Sequence, residues 1–177
     1  MKIIGLAGMP GSGKGVVSSI AEKMGYHIIR MGDIIREEAE KIGKDPGETA
    51  VQLRKEHGEY IIAEKCIPKI ESIKRGKILI EGIRSPYEVE MFKKRYKGFK
   101  VISIFSTRKT RFKRLQRRGR RDDTKDYKKF MERDQRELGF GLGDVIATSD
   151  YIIINEGPLQ RFKENAKRLL KKVTMNC

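Results

Sequence analysis

Residues 2–15 of this 177-residue chain have the sequence KIIGLAGMPGSGKG, and the fold can be predicted from them outward. The first part of this stretch, residues 2–7, is a largely apolar run that predicts a short buried strand. Glycines end that run, and an amphipathic helix follows with apolar residues at helical spacing: Val16, Val17, Ile20 and Met24. The turn between the strand and the helix, from Gly8 to Lys14, fits the pattern G-x-x-x-x-G-K.

This turn predicts a loop that binds the phosphates of a nucleotide. Glycines let the backbone bend so that successive N–H groups converge on phosphate oxygens, and the helix N-terminus adds its positive dipole end. The ammonium group of Lys14 is then expected to bridge the β- and γ-phosphates. We therefore assign nucleotide binding to eight consecutive residues: Gly8, Met9, Pro10, Gly11, Ser12, Gly13, Lys14 and Gly15.

One position departs from the general form of this loop. The residue after Lys14 is Gly15, whereas a Ser or Thr there usually supplies a hydroxyl ligand for Mg²⁺. Because Mg²⁺ keeps several waters in most protein sites, we expect carboxylates and water to replace that hydroxyl. Ser18 and Ser19 lie deeper in the helix and receive no role at this point.

The rest of the chain alternates apolar runs with helical segments. Four further strands are predicted at residues 26–31, 77–82, 99–105 and 150–155. Asp33 is placed to cap a helix, and Ser85, Pro86 and Glu88 predict a capping box at the start of another. This alternation predicts an α/β fold of three layers, in which helices cover both faces of a five-stranded parallel sheet.

The positive charge of the chain is concentrated in its second half. Residues 1–88 hold 15 basic and 13 acidic side chains, whereas residues 89–177 hold 25 and 11. The densest run, from Arg108 to Arg121, has nine basic residues and no acid. Such a run faces either open solvent or an anionic partner, and both a polyphosphate and a nucleic-acid backbone fit that description.

The amino-acid composition also indicates in which cellular compartment the protein is expected. No stretch approaches the roughly 20 consecutive apolar residues of a membrane span, so we expect no membrane partner. The two cysteines, Cys66 and Cys177, form no disulfide framework, which is typical of a reduced, cytoplasmic protein.

Beyond the phosphate-binding loop, four segments carry a family resemblance: MGDIIR (31–36), ILIEGIRS (78–85), RRDDTK (120–125) and SDYIIIN (149–155). The chain resembles nucleoside monophosphate kinases and, more narrowly, a mainly archaeal family described as adenylate-kinase-related or dephospho-CoA-kinase-like. The resemblance implies ATP and Mg²⁺ as cofactors. It also implies a single P-loop kinase-like domain over residues 1–177, with a core (1–32, 77–118 and 126–177), a helical acceptor-binding insert (33–76) and a lid (119–125).

The resemblance assigns three residues to the acceptor side and one to the metal ion. Arg36 would hold the phosphate of the acceptor, and Arg84 would be a second arginine of the acceptor site. Asp33 has two interpretations that stay open, since it matches the general base of dephospho-CoA kinases but also suits a helix N-cap. Glu81 stands where related proteins have the aspartate that orients the waters of the metal ion.

On the donor side, Arg114 and Arg118 share one face of a predicted basic helix because they are one turn apart. The resemblance places Arg114 against the adenine ring and Arg118 on the transferring phosphate, and planar guanidinium groups suit both contacts. It also places Arg121 in a lid that closes over ATP, and Asn155 at the border of the adenine.

Asp134 is predicted to be buried without any appeal to a family. It falls on the apolar stripe of a predicted helix, together with Tyr127, Phe130, Met131 and Leu138. A lone buried carboxylate is costly, so a cationic partner is expected. We predict that this partner is an arginine of the basic helix or of the phosphate-binding region.

Two functions fit these features. The first is a kinase that transfers the γ-phosphate of ATP to a nucleotide or small-molecule acceptor, with Lys14, Asp33, Arg118 and Arg121 as catalytic residues. The second is a nucleic-acid-associated ATPase or an RNA-binding P-loop module, which the basic half of the chain favours. Residues 108–121 hold only one aromatic residue, Phe112, which weakens the second function. The sequence does not identify the acceptor.

Overall fold

A computed structural model describes residues 1–119 and 124–175. Within them, five strands form one sheet in which every neighbouring pair is parallel, and the spatial order is β2-β3-β1-β4-β5. The strands are β1 (Lys2–Ala7), β2 (Tyr26–Arg30), β3 (Lys77–Ile83), β4 (Lys100–Phe105) and β5 (Tyr151–Ile154). The predicted five-stranded parallel sheet is therefore confirmed.

The strand order fixes where a ligand can bind. The first strand, β1, is the central strand and lies between β3 and β4. The chain forms β2 and β3 on one side of it and then β4 and β5 on the other. Open α/β sheets bind ligands outside the carboxyl ends of the strands, at the point where the order changes direction. The glycine-rich turn follows β1 directly and stands at this point.

Helices cover both faces of the sheet. One face packs on the first and the last helix, whose buried residues share a core with residues such as Ile4, Leu79 and Ile153. The other face packs on helices from the middle of the chain, around Ile3, Ile78 and Phe92. The helices are α1 (Lys14–Lys23), α2 (Met31–Ile42), α3 (Pro46–His57), α4 (Ile61–Glu71), α5 (Pro86–Arg95), α6 (Arg108–Arg118), α7 (Tyr127–Gly139), α8 (Leu142–Ala147) and α9 (Leu159–Met175).

The segment between β2 and β3 folds as three helices, α2 to α4, which we call the helical insert. Its sequence explains the breaks. Asp45 caps α3 and accepts hydrogen bonds from the amides of Gly47 and Glu48, and Gly58 ends the helix with φ +89°. Pro68 lies inside α4. The helix therefore breaks at Gly58 and continues through Pro68.

One local prediction needs correction. Asp33 is not an N-cap, because α2 begins at Met31 and the cap position is the extended Arg30, without a side-chain cap. Strand β2 continues directly into α2, so Asp33 lies in the first turn of the helix. A carboxylate there interacts favourably with the helix dipole. Helix α7 includes Gly139 and α8 begins at Leu142, so only two residues separate these helices.

Other local predictions hold. Ser85 and Glu88 form the predicted capping box, in which the Glu88 amide donates to Ser85 Oγ and the Glu88 carboxylate accepts from the Ser85 amide. Residues 120–123 of the predicted lid, Arg121 among them, lie outside the described residues. Across the part of the chain that the structure describes, no helix has the length and apolar character needed to cross a membrane.

Candidate active site

The loop after β1 has the backbone geometry that a phosphate-binding turn requires. Gly8, Gly11 and Gly13 have φ values of 145°, 80° and 112°, a region that residues with a Cβ rarely adopt. At Gly13 a Cβ atom would also lie 2.4 Å from Asn155 Nδ2. These glycines are therefore needed both for the bend and for the close approach of the neighbouring loop.

Lys14 begins α1, and its ammonium group folds back under the loop. Its Nζ donates to the carbonyl oxygens of Gly8 at 2.5 Å and Met9 at 3.2 Å. The pKa of Lys14 is lowered to about 8, mainly because the ammonium group is buried; Arg84 and Arg133 add to the shift, and Glu81 and Glu137 oppose it. A phosphate bound beside Lys14 would stabilise the positive charge of this ammonium group.

An open cavity of about 480 Å³ lies over the loop, and we call it the P-loop cavity. Its walls come from the glycine-rich turn, the end of β3 and helices α2, α6 and α7. It brings together most of the predicted site residues: Gly8, Pro10, Gly11, Gly13, Lys14, Gly15, Arg36, Glu81, Arg84, Arg114 and Arg118. The predicted residues that the described lining does not include are Met9 and Ser12, which are buried, and Asp33 and Asn155.

Glu81 is held in the P-loop cavity by two side chains. Ser18 Oγ donates to Glu81 Oε2 at 2.6 Å, and Arg30 Nε lies 3.4 Å from the same oxygen. Ser18 is fully buried in α1, one turn after Lys14. Sequence reasoning gave Ser18 no role, although its position one turn after Lys14 puts both residues on one helix face. The hydroxyl missing at Gly15 thus has a counterpart one turn deeper, directed at the carboxylate.

Arg114 and Asn155 meet at the back of the loop. Arg114 donates to Ser106 Oγ at 2.9 Å and to the carbonyl oxygen of Asn155 at 2.9 Å, and Asn155 Nδ2 donates to the carbonyl oxygen of Ser12 at 2.8 Å. The two residues assigned to the adenine are therefore neighbours, and both are tied to the phosphate-binding turn. Their contact with adenine stays a prediction.

The buried partner of Asp134 is Arg111, as predicted. Arg111 Nη1 lies 2.7 Å from Asp134 Oδ1, and the two residues are 4% and 1% exposed. The same guanidinium donates to the carbonyl oxygens of Pro10 at 3.1 Å and Ser106 at 3.2 Å. Asp134 on α7 thus positions an arginine of α6 that supports the phosphate-binding turn from behind.

The acceptor-side residues lie where α2, the end of β3 and α7 meet. The carboxylate of Asp33 is hydrogen-bonded to the guanidinium of Arg36 three residues later. Arg84 Nε lies 3.3 Å from the carboxylate of Glu137, which is buried. Arg36 and Arg84 also line a second cavity of about 680 Å³ between the helical insert and α7, which we call the acceptor cavity.

With this geometry established, the sequence can be compared with known proteins. The family described as an AAA domain matches residues 7–129. A UPF0200 protein of Methanothermobacter thermautotrophicus is 62% identical, covering 98% of this chain and 91% of its own. A UPF0200 protein of Hyperthermus butylicus is 46% identical, covering 97% and 95%.

The chain belongs to the UPF0200 family.

Solved structures support the fold of this UPF0200 family member. A shikimate kinase of Acinetobacter baumannii, in complex with shikimate, superposes with a TM-score of 0.63 at 16% identity, covering 99% of this chain and 94% of that one. A gluconokinase of Sinorhizobium meliloti gives 0.63 at 15% identity with the same coverage. The resemblance to P-loop kinases is thus confirmed at the level of fold.

Proposed function

We propose that this protein is a kinase that transfers the γ-phosphoryl group of ATP to a small acceptor. The observation that carries the proposal is that the P-loop cavity and the acceptor cavity adjoin, since both are lined by Gly32, Arg36, Arg84, Arg133 and Glu137. A donor on the loop and an acceptor beside the insert would therefore face each other, as a direct transfer requires.

The chemistry consists mainly of positioning and charge neutralisation. An acceptor oxygen forms a bond to the γ-phosphorus while the bond from that phosphorus to the β–γ bridging oxygen breaks, and ADP leaves with the electron pair. The hydroxyl proton passes to a base, for which Asp33 is our candidate, or to water. Lys14 and Arg118 stabilise the charge on the migrating group, and we assign Arg121 in the proposed lid the same task.

Mg²⁺ fits the residues present. The Glu81 carboxylate lines the P-loop cavity and is oriented by Ser18 and Arg30, and Mg²⁺ is commonly bound through one carboxylate together with substrate phosphates and water. When bound with ATP, the ion would neutralise charge on the β- and γ-phosphates. We propose that Glu81 acts by orienting its water ligands.

The remaining assignments are also proposals. Met9, Ser12 and Asn155 would shape the loop, Arg114 would border the adenine, and Arg36 and Arg84 would hold the acceptor. We place the protein in the cytoplasm, where ATP is available. The buried Cys66 suits a reducing environment, and burial raises the pKa of its thiol to about 12, far from that of a reactive thiolate.

The direct test is phosphoryl transfer from γ-labelled ATP to a panel of sugar, polyol, carboxylic acid and nucleotide acceptors. Wild type should label at least one of them, and Lys14→Ala should lose that labelling. Lys23→Ala removes an exposed lysine from the same helix and is expected to behave like wild type. Equal transfer by wild type and Lys14→Ala would end the proposal.

A second function, a nucleic-acid-associated ATPase, is favoured by a separate observation. Residues 89–177 hold 25 basic and 11 acidic side chains, more than phosphate binding in the P-loop cavity uses. Binding of single-stranded RNA should then weaken steeply as salt is raised from low to physiological concentration. No retention of RNA even at low salt would reject this function.

A further inference from the structure

The acceptor cavity is rich in cations. Five basic side chains line it, from α2, the end of β3 and α7: Arg36, Arg84, Lys129, Arg133 and Arg136. Four acidic side chains also line it: Asp45, Glu48, Glu132 and Glu137. Glu137 is paired with Arg84, Arg36 is paired with Asp33, and Asp45 caps α3. An anionic ligand would therefore be bound mainly by Arg136.

Arg136 is the clearest example of a cation prepared for such a ligand. A Cβ atom at Gly47 would lie 2.5 Å from Arg136 Cζ, so the glycine makes room for the guanidinium beside α3. In residues 1–119 and 124–175, no carboxylate forms an ion pair with this guanidinium. Arg136 thus borders the acceptor cavity with its charge available to a bound anion.

The same cavity offers no platform for a nucleobase. Among the described residues that line it, none is aromatic, and the only large apolar contributors are Ile35 and Pro46. Bases are usually held by stacking on aromatic rings or on apolar surface, as well as by hydrogen bonds. The phosphate of a nucleotide acceptor could be bound here, but its base would be surrounded by polar groups.

Phe140, which follows α7, lies outside the acceptor cavity and is in contact with Arg54. Arg54 Cζ lies 4.2 Å from the centroid of Phe140, and Arg54 Nη2 is 2.7 Å from the carboxylate of Glu88. Arg54 and Glu88 are 5% and 0% exposed. Phe140 lines a separate cavity together with Tyr87 and Glu90, so it supplies no ring surface to the acceptor cavity.

We infer that the acceptor is a small, non-aromatic molecule with an anionic group, such as a phosphorylated or carboxylated polyol, and not a nucleotide. The inference rests on the proposed kinase function, because it concerns the cavity beside the donor site. The anionic group would bind the arginines, and a hydroxyl of the same molecule would face the γ-phosphate.

The test is calorimetry on the full chain, saturated with Mg²⁺ and the non-hydrolysable β,γ-imido analogue of ATP. Three probes are titrated: ribose 5-phosphate, gluconate and uridine 5′-monophosphate. Ribose 5-phosphate or gluconate should bind about ten-fold or more tightly than uridine 5′-monophosphate, and the better of the two identifies phosphate or carboxylate as the anionic group. Tighter binding of uridine 5′-monophosphate, or no binding of any probe, would overturn the inference.

Variants separate this inference from the proposed function. Arg136→Gln should weaken the better probe about ten-fold and leave the affinity for the ATP analogue unchanged. Arg168→Gln, which removes an exposed arginine on α9 outside the acceptor cavity, should change neither. Equal probe affinity in wild type and Arg136→Gln would contradict the inference. If the ATP analogue itself does not bind wild type, the proposed function fails instead.

Discussion

Removing the carboxylate of Asp134 should destabilise the protein strongly. In Asp134→Ala the guanidinium of Arg111, which is 4% exposed, keeps its charge but loses its buried counter-ion. Breaking a buried ion pair by deleting one partner costs about 3–5 kcal/mol. For a chain of this size each kcal/mol corresponds to roughly 2–4 °C in Tm, so we expect a drop of about 10 °C.

Replacing both partners separates the charge effect from other causes. In the double variant Asp134→Leu with Arg111→Met, side chains of similar length fill the space and no buried charge remains. Such replacements are often neutral for stability. We therefore expect the double variant to recover most of the lost free energy of unfolding. It should still bind ATP more weakly, because Arg111 no longer supports the carbonyl oxygen of Pro10.

Urea unfolding and Tm measurements test the predicted changes in stability. Titration with ATP reports whether the phosphate-binding turn still binds its ligand. A loss of less than about 1 kcal/mol in Asp134→Ala, the usual range of an exposed pair, would show that no strong buried ion pair forms. A double variant no more stable than the single one would show that an unpaired charge is not the cause of the loss. Recovery of stability together with full recovery of ATP affinity would remove the link between Asp134 and the phosphate-binding turn.

Three further predictions concern the metal and the phosphates. ATP affinity should be highest below the Lys14 pKa of about 8 and fall by up to about ten-fold per pH unit above it, because the ammonium group loses its proton; in Lys14→Ala this dependence should vanish. Ser18→Ala should weaken Mg²⁺-dependent ATP binding by about ten-fold or less while ATP binding without Mg²⁺ stays the same, since Glu81 loses the donor that orients it. Gly15→Thr should stabilise α1 by roughly a few tenths of a kcal/mol in thermal unfolding without weakening the binding of ATP with Mg²⁺, because a Cβ there meets nothing within 4 Å; a loss of affinity would show that the glycine is needed.

Much of the fold could be predicted from local sequence patterns. The strand before Gly8 and the helix after it are visible in the order of apolar residues, and the capping box of Ser85 and Glu88 is a local signal. The Asp134 pairing was also predictable, because an isolated carboxylate on an apolar helix face implies a cation. Only the choice of Arg111 among the basic residues required the structure.

Contacts between segments far apart in the sequence could not be predicted from it. Ser18 and Glu81 are 63 positions apart, and Arg54 and Glu88 are 34 apart, so neither pair leaves a periodic signal. Asp33 shows the opposite failure, because its residue type suits a helix cap but the preceding strand continues directly into the helix. The acceptor cavity likewise depends on how α7 packs beside the helical insert, which sequence spacing does not encode.

If the turn after β1 binds the triphosphate of ATP through its backbone amides and Lys14, removal of this lysine must weaken ATP binding. The decisive experiment is isothermal titration of ATP with Mg²⁺ into wild type, Lys14→Ala and Lys23→Ala. We expect saturable binding to wild type and Lys23→Ala, and binding to Lys14→Ala that is weakened about ten-fold or more. No binding to wild type, or equal binding to all three proteins, would show that the turn does not bind ATP in this way.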